Sequence, residues 1–155
     1  MERVYVGLGT NLGDKRKNLE NALLLIKERI GTVVSLSSFY ETSPWGFQSE
    51  HIFLNAAAGI DTSFSPMDLL HVTQEIEKQL GRQHKSVQKV YHDRPIDIDV
   101  LLFGNKVFHT EELTVPHPEM TKRRFVMEPL AEIAPDVVHP IYGKTIRELL
   151  SFVES

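Results

Sequence analysis

Two helical patterns, each closed by a glycine, split the strand-forming stretches of this sequence into the order β-α-β-β-α-β. Arg3-Val4-Tyr5-Val6-Gly7-Leu8 reads as a short strand, and Gly9-Thr10-Asn11-Leu12-Gly13-Asp14 as the turn that follows. Leu19, Leu23, Ile26 and Ile30 recur at helical spacing up to Gly31. Residues 33–40 are β-prone, and a loop over 41–50 holds Pro44, Trp45 and Gly46. Residues 52–60 form the third strand, whose three consecutive alanines imply a close neighbour. The second helix is capped by Ser65, with Pro66 at its first position and Asp68 at its third. Leu69, Thr73, Ile76 and Leu80 make its inward stripe, and Gly81 stops it. Residues 82–95 show no period and read as a loop. The strongest strand, residues 96–103, follows, and Gly104-Asn105 predicts a hairpin back to Lys106-Val107-Phe108. Helices near 121–133 and 145–153 complete the order. This is the split βαβ, ferredoxin-like plan of the α+β class, a mostly antiparallel sheet with helices covering one face.

At 155 residues the chain has the length of a single domain, residues 1–155. The absence of cysteine excludes a disulfide framework, a thiolate-bound zinc and a thiol nucleophile. No apolar run reaches the ~18 residues of a membrane span. The first residues lack the basic start and apolar stretch of a signal peptide, so a cytoplasmic protein with no membrane association is expected. A net charge of -4 argues against general nucleic-acid binding, and no obligate protein partner is evident.

The sharpest chemical signal is Asp97-Ile98-Asp99. Alternate residues of a strand share a face, which puts the two carboxylates side by side, ~6.6 Å apart along it. Ile98, Val100 and Leu102 then pack on the other face. Paired hard oxygen ligands suit Mg²⁺ shared with substrate phosphates, and such a pair can bridge two ions ~3.5–4 Å apart. The ordinary alternative is two surface acids at a strand entrance. Basic residues flank the pair: Lys78, Arg82, Lys85, Lys89 and Arg94 on one side, Lys122-Arg123-Arg124 on the other. Arginine forks and metals together are what a polyphosphate requires.

Other signals are weaker singly. The glycine-rich turn lacks the Gly-Lys-Ser/Thr ending of a phosphate loop. Asn55, polar within an apolar strand, is a candidate to orient a heterocycle, with bonding to nearby backbone as the alternative. Phe53 and Phe125 are candidates to sandwich a flat ring, or core residues. His117, between Pro116 and Pro118, is a candidate phosphate contact or acid. Trp45 is a candidate lid residue.

Taken in order, Gly7-Leu8-Gly9-Thr10-Asn11-Leu12-Gly13-Asp14, Ser38-Phe39-Tyr40-Glu41-Thr42, Phe53-Leu54-Asn55, Gln74-Glu75-Ile76-Glu77, Gly81-Arg82, Asp93-Arg94-Pro95-Ile96-Asp97-Ile98-Asp99, Thr114-Val115-Pro116-His117-Pro118 and Arg123-Arg124-Phe125-Val126 resemble the 6-hydroxymethyl-7,8-dihydropterin pyrophosphokinase family. The resemblance implies transfer of diphosphate from ATP to the hydroxymethyl group of a reduced pterin, releasing AMP, in folate biosynthesis. It also implies that Asp97 and Asp99 hold two Mg²⁺ ions, with Asp97 near enough to the pterin hydroxyl to orient or deprotonate it. It makes Arg82 and Arg94 clamps on the phosphates during transfer. Gln74, Glu77, His84, His117 and Arg123 match ATP-contacting positions. Gly9, Thr42, Pro44 and Asn55 match the pterin pocket, with the ring between Phe53 and Phe125. The departures are Val90-Tyr91-His92-Asp93-Arg94 where many members have Arg-Trp-Gly-Pro-Arg, His84 where some have arginine, Phe53 where some have tyrosine, and a slightly longer 82–94 loop.

Two other classes compete with this reading. A two-metal phosphohydrolase or nucleotidyltransferase would use the same acids but release different products. An RNA-binding module would share the sheet plan, against which stand the charge and the lack of an aromatic-rich strand motif.

Overall fold

The computed structural model describes residues 1–42, 52–82 and 95–153, with the backbone alone for Arg82. Seven strands and four helices are defined there: β1 (Glu2–Thr10), α1 (Lys15–Arg29), β2 (Gly31–Leu36), β3 (Tyr40–Thr42), β4 (Phe53–Thr62), α2 (Pro66–Glu77), β5 (Asp97–Phe103), β6 (Phe108–His109), β7 (Thr114–Val115), α3 (Arg124–Ile133) and α4 (Ile146–Leu150). A wider helical turn, Lys78–Arg82, prolongs α2, and a 3-10 turn, Met120–Lys122, precedes α3. No helix among the described residues is long and apolar enough to cross a membrane.

The main sheet runs β2-β4-β1-β5, with β3 pairing the start of β4, and each of its pairs is antiparallel. This is the expected ferredoxin-like order. α1 and α2 cover one face, burying Leu19, Ala22, Leu23, Ile26, Leu69 and Ile76 against Val4, Val6, Leu8, Ala56, Ala58 and Ile60. Fully burying a Leu or Ile side chain contributes about 1.5–3 kcal/mol. The Ser65 cap, whose hydroxyl accepts from Asp68 N–H, is worth about 1 kcal/mol. Burial of Leu69 and Ile76 therefore does more to hold α2 than its cap.

Helices are not confined to one face, however. Met127, Leu130, Ile146 and Leu149 of α3 and α4 pack on the opposite side, over Tyr5, Ala57, Leu101 and Leu102. The alanine run lies at the centre of β4, with Ala56 and Ala58 facing the first helical layer and Ala57 the second. Small side chains let both layers approach the sheet.

Three local expectations fail for identifiable reasons. β1 continues through Thr10, so Gly9 belongs to a strand and not to the turn after it. Gly104 does turn the chain, but β6 pairs with β7, not with β5; Phe108 gains Val115 as its partner and joins the main core. Finally, the β1–β5 register shifts between Tyr5 and Val6, leaving Leu101 as an extra residue. Such a bulge reverses the alternation beyond it. Leu102 therefore faces α3 with Leu101, while Ile98 and Val100 face α1 and α2.

The C-terminal segment turns on His139, which is 2% exposed. Its Nδ1 accepts the N–H groups of Ile141 and Tyr142 at 3.2 and 3.3 Å. Burial pushes its pKa below the ordinary value of 6.5. In the unfolded chain His139 takes a proton near its ordinary value of about 6.5. Its contribution to stability is thus complete above that pH and declines as pH falls toward the lower native value. Urea unfolding should find His139→Gln less stable than the natural chain at pH 7.5, yet losing less of its remaining stability between pH 7 and 5. A loss equal to the natural chain's would contradict this.

Candidate active site

Antiparallel pairing gathers the end of β1 and the beginnings of β4 and β5. Gly9 pairs with Asn55 on one side and Asp97 on the other, and Asn55 pairs in turn with Tyr40. Cross-strand partners share a face. A row Tyr40–Asn55–Gly9–Asp97 therefore crosses four strands on the side that carries α3. Two residues along, Ala57, Gly7 and Asp99 form a parallel row. At Gly9 β1 carries no side chain, so the strip between Asp97 and Asn55 is bare, whereas Gly7 is covered by Leu101, whose Cδ1 lies 3.5 Å from where a β-carbon would stand. With strands ~4.8 Å apart, those two residues stand about 10 Å from each other across it.

Gly9 is needed for more than its width. A β-carbon there would lie 2.9 Å from Asn55 Oδ1. Asn55 is only 6% exposed, and its Nδ2 donates to Thr42 Oγ1 at 2.8 Å. Its amide is thus held with the oxygen toward the bare strip. Phe53, two residues before Asn55, shares that face of β4 by alternation. Phe125, 41% exposed, lies in the first turn of α3, the helix covering the same face.

Asp97 and Asp99 are both half-exposed and alternate with buried Ile98 and Val100. They lie on β5, the edge strand, whose outer backbone groups need partners. Glu77 Oε2 accepts Ile98 N–H at 2.8 Å, and His117 N–H donates to Leu101 C=O at 3.0 Å. Two residues expected at the nucleotide thus fasten the strand that bears the acids. Glu77 is 8% exposed, an acid on the inward side of α2 beside Ile76. That position within an apolar stripe was a readable sign of a special role. Gln74 lies three residues earlier on the same helix side, exposed to solvent.

The His117 ring is oriented by Glu119, whose N–H donates to Nδ1 at 3.1 Å. Nε2 is left as the protonated nitrogen of a neutral ring. Burial depresses its pKa and the Arg123 guanidinium depresses it further, while Glu119 and Asp97 act in the opposite sense. At neutral pH His117 is accordingly a hydrogen-bond donor and not a cation. Glu119 carries no signal in the sequence that would have singled it out.

The second basic run divides on inspection. Lys122 Nζ is 3.8 Å from Glu119, and Arg124 is committed to Glu128 at 3.1 Å and to Val153 C=O at 3.0 Å. Arg123 alone lies near His117, its guanidinium 5.8 Å from the Phe125 ring centroid. Arg123 is the member of the run that the resemblance matches to the nucleotide.

Gly81 lies against Pro95, since a β-carbon on Gly81 would be 2.5 Å from the proline Cγ. The chain thus leaves and rejoins the described fold at one place. Pro44, Trp45, His84, Tyr91 and Arg94 lie outside the described residues, as does the side chain of Arg82.

Among the described residues no group of three or more His, Cys, Asp or Glu is arranged to enclose a metal. Two carboxylates on one face of one strand instead form a partial, oxygen-only donor set. That suits Mg²⁺, which keeps several waters or substrate oxygens and rarely sits in an all-protein cage. The site pairs such a set with a shelf, about 10 Å wide, that ends on an oriented amide.

Comparison with known proteins bears on this arrangement. A family model described as 7,8-dihydro-6-hydroxymethylpterin-pyrophosphokinase (HPPK) matches residues 5–135. The 2-amino-4-hydroxy-6-hydroxymethyldihydropteridine pyrophosphokinase of Porphyromonas gingivalis is 51% identical over 142 residues, 90% of this chain and 95% of the relative. Its counterpart in Bacillus subtilis is 43% identical over 134 residues, 86% and 78% respectively. Among solved structures, Plasmodium falciparum HPPK-DHPS superposes with a TM-score of 0.79 at 18% identity, a likeness of fold. That match covers 97% of this chain but 44% of the Plasmodium protein.

Proposed function

The chain belongs to the 7,8-dihydro-6-hydroxymethylpterin-pyrophosphokinase family, and from that premise we propose how its residues divide the reaction. It transfers a diphosphoryl group from ATP to 6-hydroxymethyl-7,8-dihydropterin in folate biosynthesis. Family membership sets aside the phosphohydrolase and RNA-binding alternatives. The pterin hydroxyl oxygen attacks the β-phosphorus, the bond from that phosphorus to the α-phosphate oxygen breaks, and AMP leaves. The nucleophile belongs to the substrate, so the protein's work is alignment and charge neutralisation.

In our reading Asp97 and Asp99 would hold two Mg²⁺ ions, which would supply neutralisation of the developing phosphate charge. Asp97 would also orient the pterin hydroxyl or accept its proton. Arg82 and Arg94 clamp the transferred phosphates. Gln74, Glu77, His84, His117 and Arg123 bind the nucleotide, His117 through its Nε2–H. The pterin lies over Gly9 with its ring between Phe53 and Phe125, read by the Asn55 amide and bordered by Thr42 and Pro44. One domain in the cytoplasm performs all of this. The observation that carries the reading is the row Asn55–Gly9–Asp97, an amide and a carboxylate facing each other over a bare strip.

Mixing protein, ATP, Mg²⁺ and the reduced hydroxymethylpterin should yield AMP in equal amount to pterin consumed. ADP as the product would overturn the transfer chemistry. At saturating MgATP the rate should rise further with free Mg²⁺. A rate indifferent to Mg²⁺ beyond that bound to ATP would remove the second ion.

A further inference from the structure

A carboxylate on α3 holds the outer wall of the proposed pterin pocket. β3 is three residues long, and Thr42, its last, is the residue that receives the Asn55 amide. So short a strand is weakly held by its own ladder. Glu132 supplies the missing restraint. Its Oε1 accepts from Ser38 N–H at 3.0 Å and from Tyr40 Oη–H at 2.7 Å, and its Oε2 accepts from Ser38 Oγ at 3.1 Å. These donors lie within the break between β2 and β3 and at the first residue of β3. On its other side the break is tied to β4, where Ser37 Oγ accepts Ala57 N–H at 2.9 Å.

The path from Glu132 to the pocket is short and continuous. Tyr40 is the register partner of Asn55, and Thr42 is that of Phe53. The residues that donate to Glu132 therefore set the position of the strand that aims the Asn55 amide. The charge of the carboxylate is felt at both ends. The Tyr40 phenol is pushed up to about 12, chiefly by its hydrogen bond to Glu132. Glu132 is held below the usual carboxylate range, chiefly by the same bond and then by Ser38 N–H.

We propose that Glu132 is a positioning residue for the pterin: by fixing Ser38 and Tyr40 it holds Thr42, and through Thr42 the Asn55 amide, in the orientation that reads the heterocycle. This rests on the reading of Asn55 as the pterin contact. It assigns Glu132 to pterin affinity and not to the phosphate chemistry, because Glu132 lies at the β3 side of the sheet and Asp97 on the far edge strand.

Glu132→Ala, Glu132→Gln and Tyr40→Phe, each titrated separately with ATP and with pterin, test it. Glu132→Ala should raise KM for pterin about tenfold and leave kcat and KM for ATP within about twofold. Glu132→Gln, which retains an acceptor oxygen, should recover part of the loss. In Glu132→Gln the Tyr40 phenol should titrate close to the ordinary ~10, read as the ultraviolet difference from the same variant carrying Tyr40→Phe. Parallel changes in both KM values, or a fall in melting temperature with kinetics unchanged, would overturn the proposal. Tyr40→Phe keeps the shape and covers the case in which Glu132→Ala does not fold. Asn55→Ala separates the two ideas. If it leaves KM for pterin unchanged, the amide reading fails and the proposal with it. If it raises that KM while Glu132→Ala does not, the proposal alone fails.

Discussion

Asp97→Ala is expected to lower kcat by at least about 10³-fold while leaving the protein folded. Removing one preorganised electrostatic partner of a transition state commonly costs 10²–10³-fold. Asp97 is proposed both to hold a metal and to handle the hydroxyl proton, so its loss should reach or exceed the top of that range. The fold should tolerate the change because the side chain is half-exposed and points away from the packed face formed by Ile98 and Val100. The strand itself is fastened by Glu77 and His117 through the backbone of Ile98 and Leu101. Single-turnover kinetics, with circular dichroism and melting as controls, make the measurement. A rate within tenfold of the natural enzyme would refute the role of Asp97.

The second large effect is expected at Gly9. Gly9→Val should weaken pterin binding on the order of 10²-fold, equivalent to about 2.7 kcal/mol, with ATP binding nearly unchanged. Valine is a good strand former, and β1 is paired on both sides at this position, so the backbone has reason to stay in place. Its side chain does not fit the strip. Even the first added carbon lies 2.9 Å from Asn55 Oδ1, which can retreat only by giving up its bond to Thr42. The remaining methyl groups occupy the space over which the pterin is proposed to lie. Misplacement of a bound reactant by about 1 Å can cost 10²-fold by itself. Calorimetric titration with each substrate separates the outcomes. Equal losses for ATP and pterin would mean a general collapse of the site and would contradict a pterin-specific shelf.

Much of the site was legible before any coordinates. Asp97 and Asp99 announced themselves because alternation along a strand is a local rule, and acids within an apolar strand have few ordinary uses. Glu77 was named only through its family motif, although its inward place on α2 was there to be read. Asn55 was marked by its polarity amid alanines and aliphatic residues. What those signals lacked was a partner. Nothing near Asn55 in sequence says that its amide meets Thr42, thirteen residues earlier. Nor does α3 disclose that Glu132 reaches Ser38, ninety-four residues away.

The misreadings have the same origin. Leu102 changes faces because β5 must match β1 with one residue to spare. The Gly104 turn leads to no hairpin with β5, because Phe108 pairs with Val115 instead. Within the Lys122-Arg123-Arg124 run, Glu119, Glu128 and the Val153 carbonyl engage two of the three members, which spacing along the chain does not disclose.

The sequence by itself determined the β-α-β-β-α-β order of the main elements, the inward stripes of α1 and α2, the acid pair and, through its motifs, the family. These depend on spacing along the chain, where 2.0- and 3.6-residue periods act over a few neighbours. Only the tertiary structure decided that Gly9 of β1 would lie between Asp97 and Asn55, that Glu77 and His117 would fasten the edge strand, and that a second helical layer would bring Glu132 to Tyr40. Those meetings depend on strand register and on packing between distant segments, where a shift of one residue sends every side chain to the other face.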